Sequence, residues 1–118
     1  MYGKPNFHNA LDIAAAGGTK IYAADAGVVA DIGWQENGLG NYVKINHGGN
    51  IQTIYGHCSR IASKLKEGQS VEKGQLIAYV GTTGNSTGNH LHFAIYNTAK
   101  KTYYDPQLFV VNMDLETE

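Results

Sequence analysis

Four of the five histidines stand in three short settings: His8-Asn9-Ala10-Leu11-Asp12, Tyr55-Gly56-His57 and His90-Leu91-His92. Residues i and i+2 of a strand share a face with Cα atoms roughly 6.6 Å apart. His90 and His92 would therefore look onto one site while Leu91 turns to the core. One imidazole could ligate a metal with the other beside it; the plainer alternative is a pair of surface histidines flanking a core leucine. His8 and Asp12 are four apart, on one face of a helix, but about 13 Å apart if the chain is extended, too far to share an ion. If they act together the chain must bend at Asn9-Ala10, with Asp12 opening a strand Asp12-Ile13-Ala14. Taken alone, a loop histidine and a turn aspartate are the commoner occurrence.

The combination weighs more than its parts. Two imidazoles and a carboxylate are a common catalytic zinc set, three protein ligands leaving a fourth position for water. Zn²⁺ with two neutral imidazoles and one carboxylate carries a net +1, which brings the pKa of bound water toward about 7. A general base is also needed. There is no His-Glu-x-x-His motif, and Glu36, Glu67, Glu72, Glu116 and Glu118 lie away from the histidine settings. His57, with whichever of His90 and His92 does not bind metal, remains for proton transfer and oxyanion stabilisation. His47, beside Gly48-Gly49, stands apart and is expected to be exposed.

These residues must be positioned by a chain of 118 residues, one domain's length, carrying 15 glycines and only two prolines. The glycines punctuate segments rich in β-branched and aromatic residues, the pattern of an all-β domain with frequent turns. Expected strands are Leu11–Ala15, Lys20–Ala24, Gly27–Trp34, Tyr42–His47, Ile51–His57, Gln75–Val80 and Leu91–Tyr96. Tyr42–Asn46 and Ile51–Tyr55 alternate around His47-Gly48-Gly49-Asn50 and read as a hairpin. Only Ser59–Lys66 offers a helical turn, with Ser59 as cap and Ile61 and Leu65 four apart. Asp105-Pro106 interrupts the chain, and the tail at 112–118 is expected to fray.

Composition narrows the function. Nine Lys+Arg against ten Asp+Glu leave a formal net charge of −1, without the basic block that nucleic-acid binding exploits. No apolar run is long enough to cross a bilayer and no secretory leader is visible. Cys58 is the only cysteine, which excludes an intrachain disulfide but not an extracytoplasmic setting.

The ordered motifs resemble those of the lysostaphin/LytM-type zinc metallopeptidases that cut bacterial peptidoglycan. They are His8-x-x-x-Asp12 with Ile13-Ala14-Ala15, then Gly18-Thr19-x-Ile21-Tyr22-Ala23-Ala24-Asp25-x-Gly27-Val28-Val29, and Gly40-Asn41-Tyr42-Val43. Tyr55-Gly56-His57, Val71-x-Lys73-Gly74-Gln75-x-Ile77-Ala78-Tyr79-Val80-Gly81 and Thr83 through Phe93 complete the series. The likeness covers about residues 7–110 and implies a small antiparallel β-sandwich or half-barrel of the duplicated hybrid motif type, with little helix. By resemblance His8, Asp12 and His92 hold Zn²⁺, and His57 and His90 are the catalytic pair of an endopeptidase acting on cell-wall peptides. Trp34–Asn41 and Thr82–Asn89 would line the groove.

The resemblance also implies an extracytoplasmic setting, whether secreted, wall-bound, membrane-anchored through a segment outside this chain, or virion-associated. A protein partner outside the domain is compatible with it, and the length reads as that of a trimmed catalytic core. Ala10 stands where the family usually has Gly, and Gly56 and Cys58 where Ala and Leu are commoner. Cys58, next to His57 in a strand, is expected to face away from it and to take no part as a nucleophile. Two rivals remain. One is a zinc-binding relative of little or no activity that serves as a wall-binding or protein-partner module. The other is a biotinyl- or lipoyl-type carrier, suggested by Val71–Val80 but lacking the carrier's lysine-bearing tripeptide.

Overall fold

A computed structural model describes residues 10–84 and 88–104. Nine strands run through them: β1 (Leu11–Ala14), β2 (Lys20–Tyr22), β3 (Gly27–Gln35), β4 (Gly40–Asn46), β5 (Ile51–Ile61), β6 (Ser70–Val71), β7 (Leu76–Val80), β8 (His90–Asn97) and β9 (Thr102–Tyr104). Every pairing is antiparallel, in the order β1-β8-β5-β4-β3-β6, with β7 joining β2 to β5 and β9 added to β8. The all-β architecture expected from the glycine spacing is present, antiparallel as the resemblance implies, and no helix occurs among the described residues. The frayed tail expected at 112–118 lies outside them.

The expected hairpin forms between β4 and β5. Val43 faces Tyr55, Lys44 faces Ile54, Ile45 faces Thr53 and Asn46 faces Gln52. The His47 amide donates to the Ile51 carbonyl at 2.9 Å to close the turn. His47 itself departs from expectation. It is half-buried, and both ring nitrogens are engaged, Nδ1 with the Ala26 carbonyl and Nε2 with Thr53 Oγ1, each at 2.7 Å. Thr53 Oγ1 lies 2.9 Å from the hydroxyl of fully buried Tyr55, which also accepts the Ala24 amide at 2.9 Å. A chain of hydrogen bonds thus satisfies polar groups that would otherwise be costly inside the sheet.

The helical turn expected at Ser59–Lys66 does not form. Ser59, Arg60 and Ile61 continue β5, where Arg60 and Ile61 face Tyr79 and Ala78 of β7. Four-residue spacing of Ile61 and Leu65 is only a local signal, and the ladder hydrogen bonds offered by β7 outweigh it; Leu65 still packs on the core from the following turn. Strands β6 and β9 have no counterpart among the expected ones.

Strand β5 is the organising element. Its first half, Ile51 to Gly56, pairs with β8, and its end, Cys58 to Ile61, pairs with β7. The change of partner falls at His57, whose φ of +62° is unusual for a residue other than glycine. An isolated bridge between Gly81 and His90 ties the end of β7 to the start of β8 at the same level. Below this junction lies the core of Ile21, Val29, Val43, Ile45, Tyr55, Ile77, Val80, Leu91, Phe93 and Ile95. Tyr55 and Phe93, cross-strand partners, pack tilted with ring centroids 5.4 Å apart.

Candidate active site

In the β1–β8 pair Asp12 lies opposite His92 and Ala14 opposite His90. Cross-strand partners share a face. Leu11, Ile13, Leu91 and Phe93 therefore turn into the core, while Asp12, His90 and His92 emerge together on the other side. Asp12 Oδ1 is 3.5 Å from His90 Nε2 and 3.7 Å from His92 Nδ1. From β5, where Gly56 faces His92, the His57 ring lies 4.7 Å from that of His90 and 5.7 Å from that of His92, centroid to centroid. Four of the five residues singled out in the sequence are thus brought together. The fifth, His8, lies outside the described residues.

Carbonyl oxygens only accept hydrogen bonds, so the ring contacts assign protons. His57 Nδ1 donates to the Thr83 carbonyl at 2.7 Å, and His90 Nδ1 donates to the Gly88 carbonyl at 2.9 Å. In the neutral rings Nε2 is then the lone-pair nitrogen of each. Burial holds the His92 pKa below the usual 6.5, with the neighbouring His57 and His90 rings acting in the same direction and Asp12 opposing them. The neutral imidazole so favoured is the form that ligates metals.

Among the described residues no group of three or more His, Cys, Asp or Glu side chains is arranged to hold a metal ion. The donor chemistry nonetheless suits one. Two ligands on one zinc, each bonded at about 2.0–2.2 Å with tetrahedral angles, lie roughly 3.3 Å apart. The spacings of Asp12 Oδ1 from both histidine nitrogens come close to that, and lone pairs facing each other need a cation or a proton between them. Distance alone fits His90 as well as His92. The strand register pairs Asp12 with His92, and the shorter ring contact pairs His57 with His90.

Cys58 lies in the hydrophobic core, fully buried, and desolvation pushes its thiol up to about 12. A thiolate nucleophile is therefore excluded near neutral pH. Thr83 escapes a reading confined to titratable residues. Its carbonyl holds His57, and its hydroxyl is shared between the Asn41 amide and the Cys58 carbonyl. The sequence marked only its segment, through Gly84 and the expected groove wall.

That segment and the one entering β4 interlock at two glycines. Gly40 and Gly84 have φ values of +65° and +75°. A Cβ on Gly84 would meet the Gly40 nitrogen at 2.3 Å and the Gly38 carbonyl oxygen at 2.4 Å, both backbone atoms that cannot step aside. Gly84→Ala combines positive-φ strain with overpacking, and chemical denaturation should show a loss of about 2–4 kcal/mol. A loss below about 0.5 kcal/mol would mean that the two segments do not pack in this way.

The all-antiparallel sheet thus presents two strand histidines, an opposing aspartate and a third imidazole on one face. The chain belongs to peptidase family M23, whose model matches residues 6–106. It is 42% identical over 88 residues to peptidoglycan DD-endopeptidase ShyA of Vibrio cholerae, covering 75% of this chain and 20% of that protein. The solved catalytic domain of lysostaphin from Staphylococcus simulans superposes with a TM-score of 0.77 at 32% identity, covering 86% of this chain and 77% of that one. A structure described as a zinc containing peptidase from Vibrio cholerae gives a TM-score of 0.69 at 39% identity, covering 75% and 26%. The chain spans about a fifth of the length of the first curated relatives it matches.

Proposed function

We propose that the protein is a zinc-dependent endopeptidase that hydrolyses peptide bonds in bacterial peptidoglycan cross-links. The observation that carries this reading is the convergence of Asp12, His57, His90 and His92 on one face of the β1–β8–β5 junction. Support comes from the relatives named as peptidoglycan endopeptidases and from the zinc containing peptidase of like fold. His8, Asp12 and His92 would hold the zinc, and His57 and His90 would be the catalytic pair. When bound, zinc would polarise the scissile carbonyl and lower the pKa of a water molecule.

The chain's own groups supply proton transfer. With Nδ1–H of His57 and of His90 committed to backbone carbonyls, each neutral ring can accept a proton at Nε2 and return it to the leaving amine. A protonated Nε2 can donate to the developing oxyanion. The 4.7 Å ring spacing lets the two imidazoles divide these tasks over one carbonyl.

A peptidoglycan substrate places the activity outside the cytoplasm, in keeping with relatives that include a protein named as a lipoprotein of Escherichia coli. No helix among the described residues is long and apolar enough to cross a membrane. Zinc-loaded protein incubated with purified peptidoglycan should release new amino groups, and chelation should abolish the release. Retained zinc with no release would instead make this a wall-binding relative without peptidase activity.

A further inference from the structure

Resting on the reading of His57 as a catalytic group, we propose that Thr83 is a positioning residue that sets the tautomer and direction of the His57 imidazole. His57 sits where β5 leaves β8 for β7, in a left-handed backbone conformation with no continuous ladder on that side to hold it. Its amide is instead taken by the Leu39 carbonyl and its ring Nδ1–H by the Thr83 carbonyl. Both acceptors belong to connecting segments, so the ring is only as well placed as those segments are.

The Thr83 side chain fixes them. Its hydroxyl donates to the Cys58 carbonyl at 2.7 Å and accepts the Asn41 amide at 3.0 Å, joining the start of β4, the bulge of β5 and the segment after β7 at one oxygen. The Asn41 side-chain amide reinforces the joint by donating to the carbonyls of Cys58 and Ser59 at 3.1 and 3.3 Å. A hydroxyl is suited to this position because it donates and accepts at once, and β-branching restricts its rotamer. The back-to-back approach of Gly40 and Gly84 brings the two segments close enough for the bonds to form.

The Thr83 carbonyl, held in this way, keeps the His57 proton on Nδ1 and leaves Nε2 as the lone-pair nitrogen of a ring 4.7 Å from that of His90. Partners that orient metal-ligating histidines are worth roughly 10- to 100-fold, and an effect of the same order is expected from the partner of the His57 ring.

The test uses Thr83→Val, which keeps the shape and removes the hydroxyl, and Thr83→Ser, which restores it. Thr83→Val should lower kcat on a peptidoglycan cross-link peptide by roughly 10- to 100-fold, with KM and bound zinc within about twofold of the unaltered protein. Thr83→Ser should recover most of the loss. Nitrogen-15 NMR of the unaltered protein at alkaline pH should show His57 protonated on Nδ1, and Thr83→Val should shift the ring toward a tautomer mixture. Equal impairment of the valine and serine variants, or an unchanged kcat in a folded Thr83→Val, overturns the proposal. So does an Nε2-protonated His57 in the unaltered protein, a readout that stands even if the valine variant does not fold. Full activity in a His57 variant would defeat the catalytic reading itself, which the NMR result distinguishes from a failure of positioning.

Discussion

Asp12→Ala should strip the protein of zinc and lower peptidoglycan cleavage by at least about 10³-fold with the fold retained. The carboxylate lies 3.5 and 3.7 Å from the His90 and His92 rings, and its side chain is 54% exposed. Little packing is lost on truncation, because β1 is held by Leu11 and Ile13 against the core and by its register with β8. Stability of the metal-free protein should therefore move by no more than about 0.5 kcal/mol. On the proposed ligand set, removing one donor of three would leave too few for the cation and take away the charge that balances it. Metal analysis, denaturation and amino-group release on the same preparations separate these effects. Zinc bound at undiminished stoichiometry in Asp12→Ala would sink the ligand assignment.

His57→Asn should give the complementary result, a protein that keeps its zinc and loses about 10²- to 10⁴-fold in kcat. Asparagine suits the test better than alanine for a backbone reason. His57 has a φ of +62°, and asparagine tolerates the left-handed region where most residues are strained. Its side-chain amide can also still donate toward the Thr83 carbonyl, so the junction of β5, β7 and β8 should survive. The lone-pair nitrogen proposed to take and return the proton is lost. Activity within about threefold of the unaltered protein would remove His57 from the mechanism and leave proton transfer to His90. Together the two variants distinguish residues that hold the metal from residues that move protons, a distinction the 3.5 and 3.7 Å separations around Asp12 do not make.

Much of this arrangement was legible in the residue order because it is local. Alternation in Tyr42–Asn46 and Ile51–Tyr55 around a Gly-Gly turn specifies a hairpin, and the hairpin forms, its register set by the folded sheet with Asn46 opposite Gln52. His90-Leu91-His92 places two imidazoles on one face of any strand, and β8 puts Leu91 in the core as that periodicity requires. The failures share a different cause. Ser59–Lys66 carries a helical spacing, yet its first residues join β7, a partner brought alongside only by the folded sheet. His47 sits in a turn and looked solvated, until Ala26, from the connection before β3, and Thr53, from β5, closed on its two nitrogens.

The sequence by itself determined the residue types of the site, the shared face of His90 and His92, the turns that make an all-β chain, and membership in a family with a metallopeptidase ligand set. Only the tertiary structure decided that Asp12 stands opposite His92 rather than His90. It alone decided that His57 occupies the point where one strand changes partners, and that Thr83 holds it there. The physical reason is one of range. Side-chain direction along a strand follows from a two-residue period, whereas register between strands and the closure of Gly40 against Gly84 depend on the packing of the whole core beneath them.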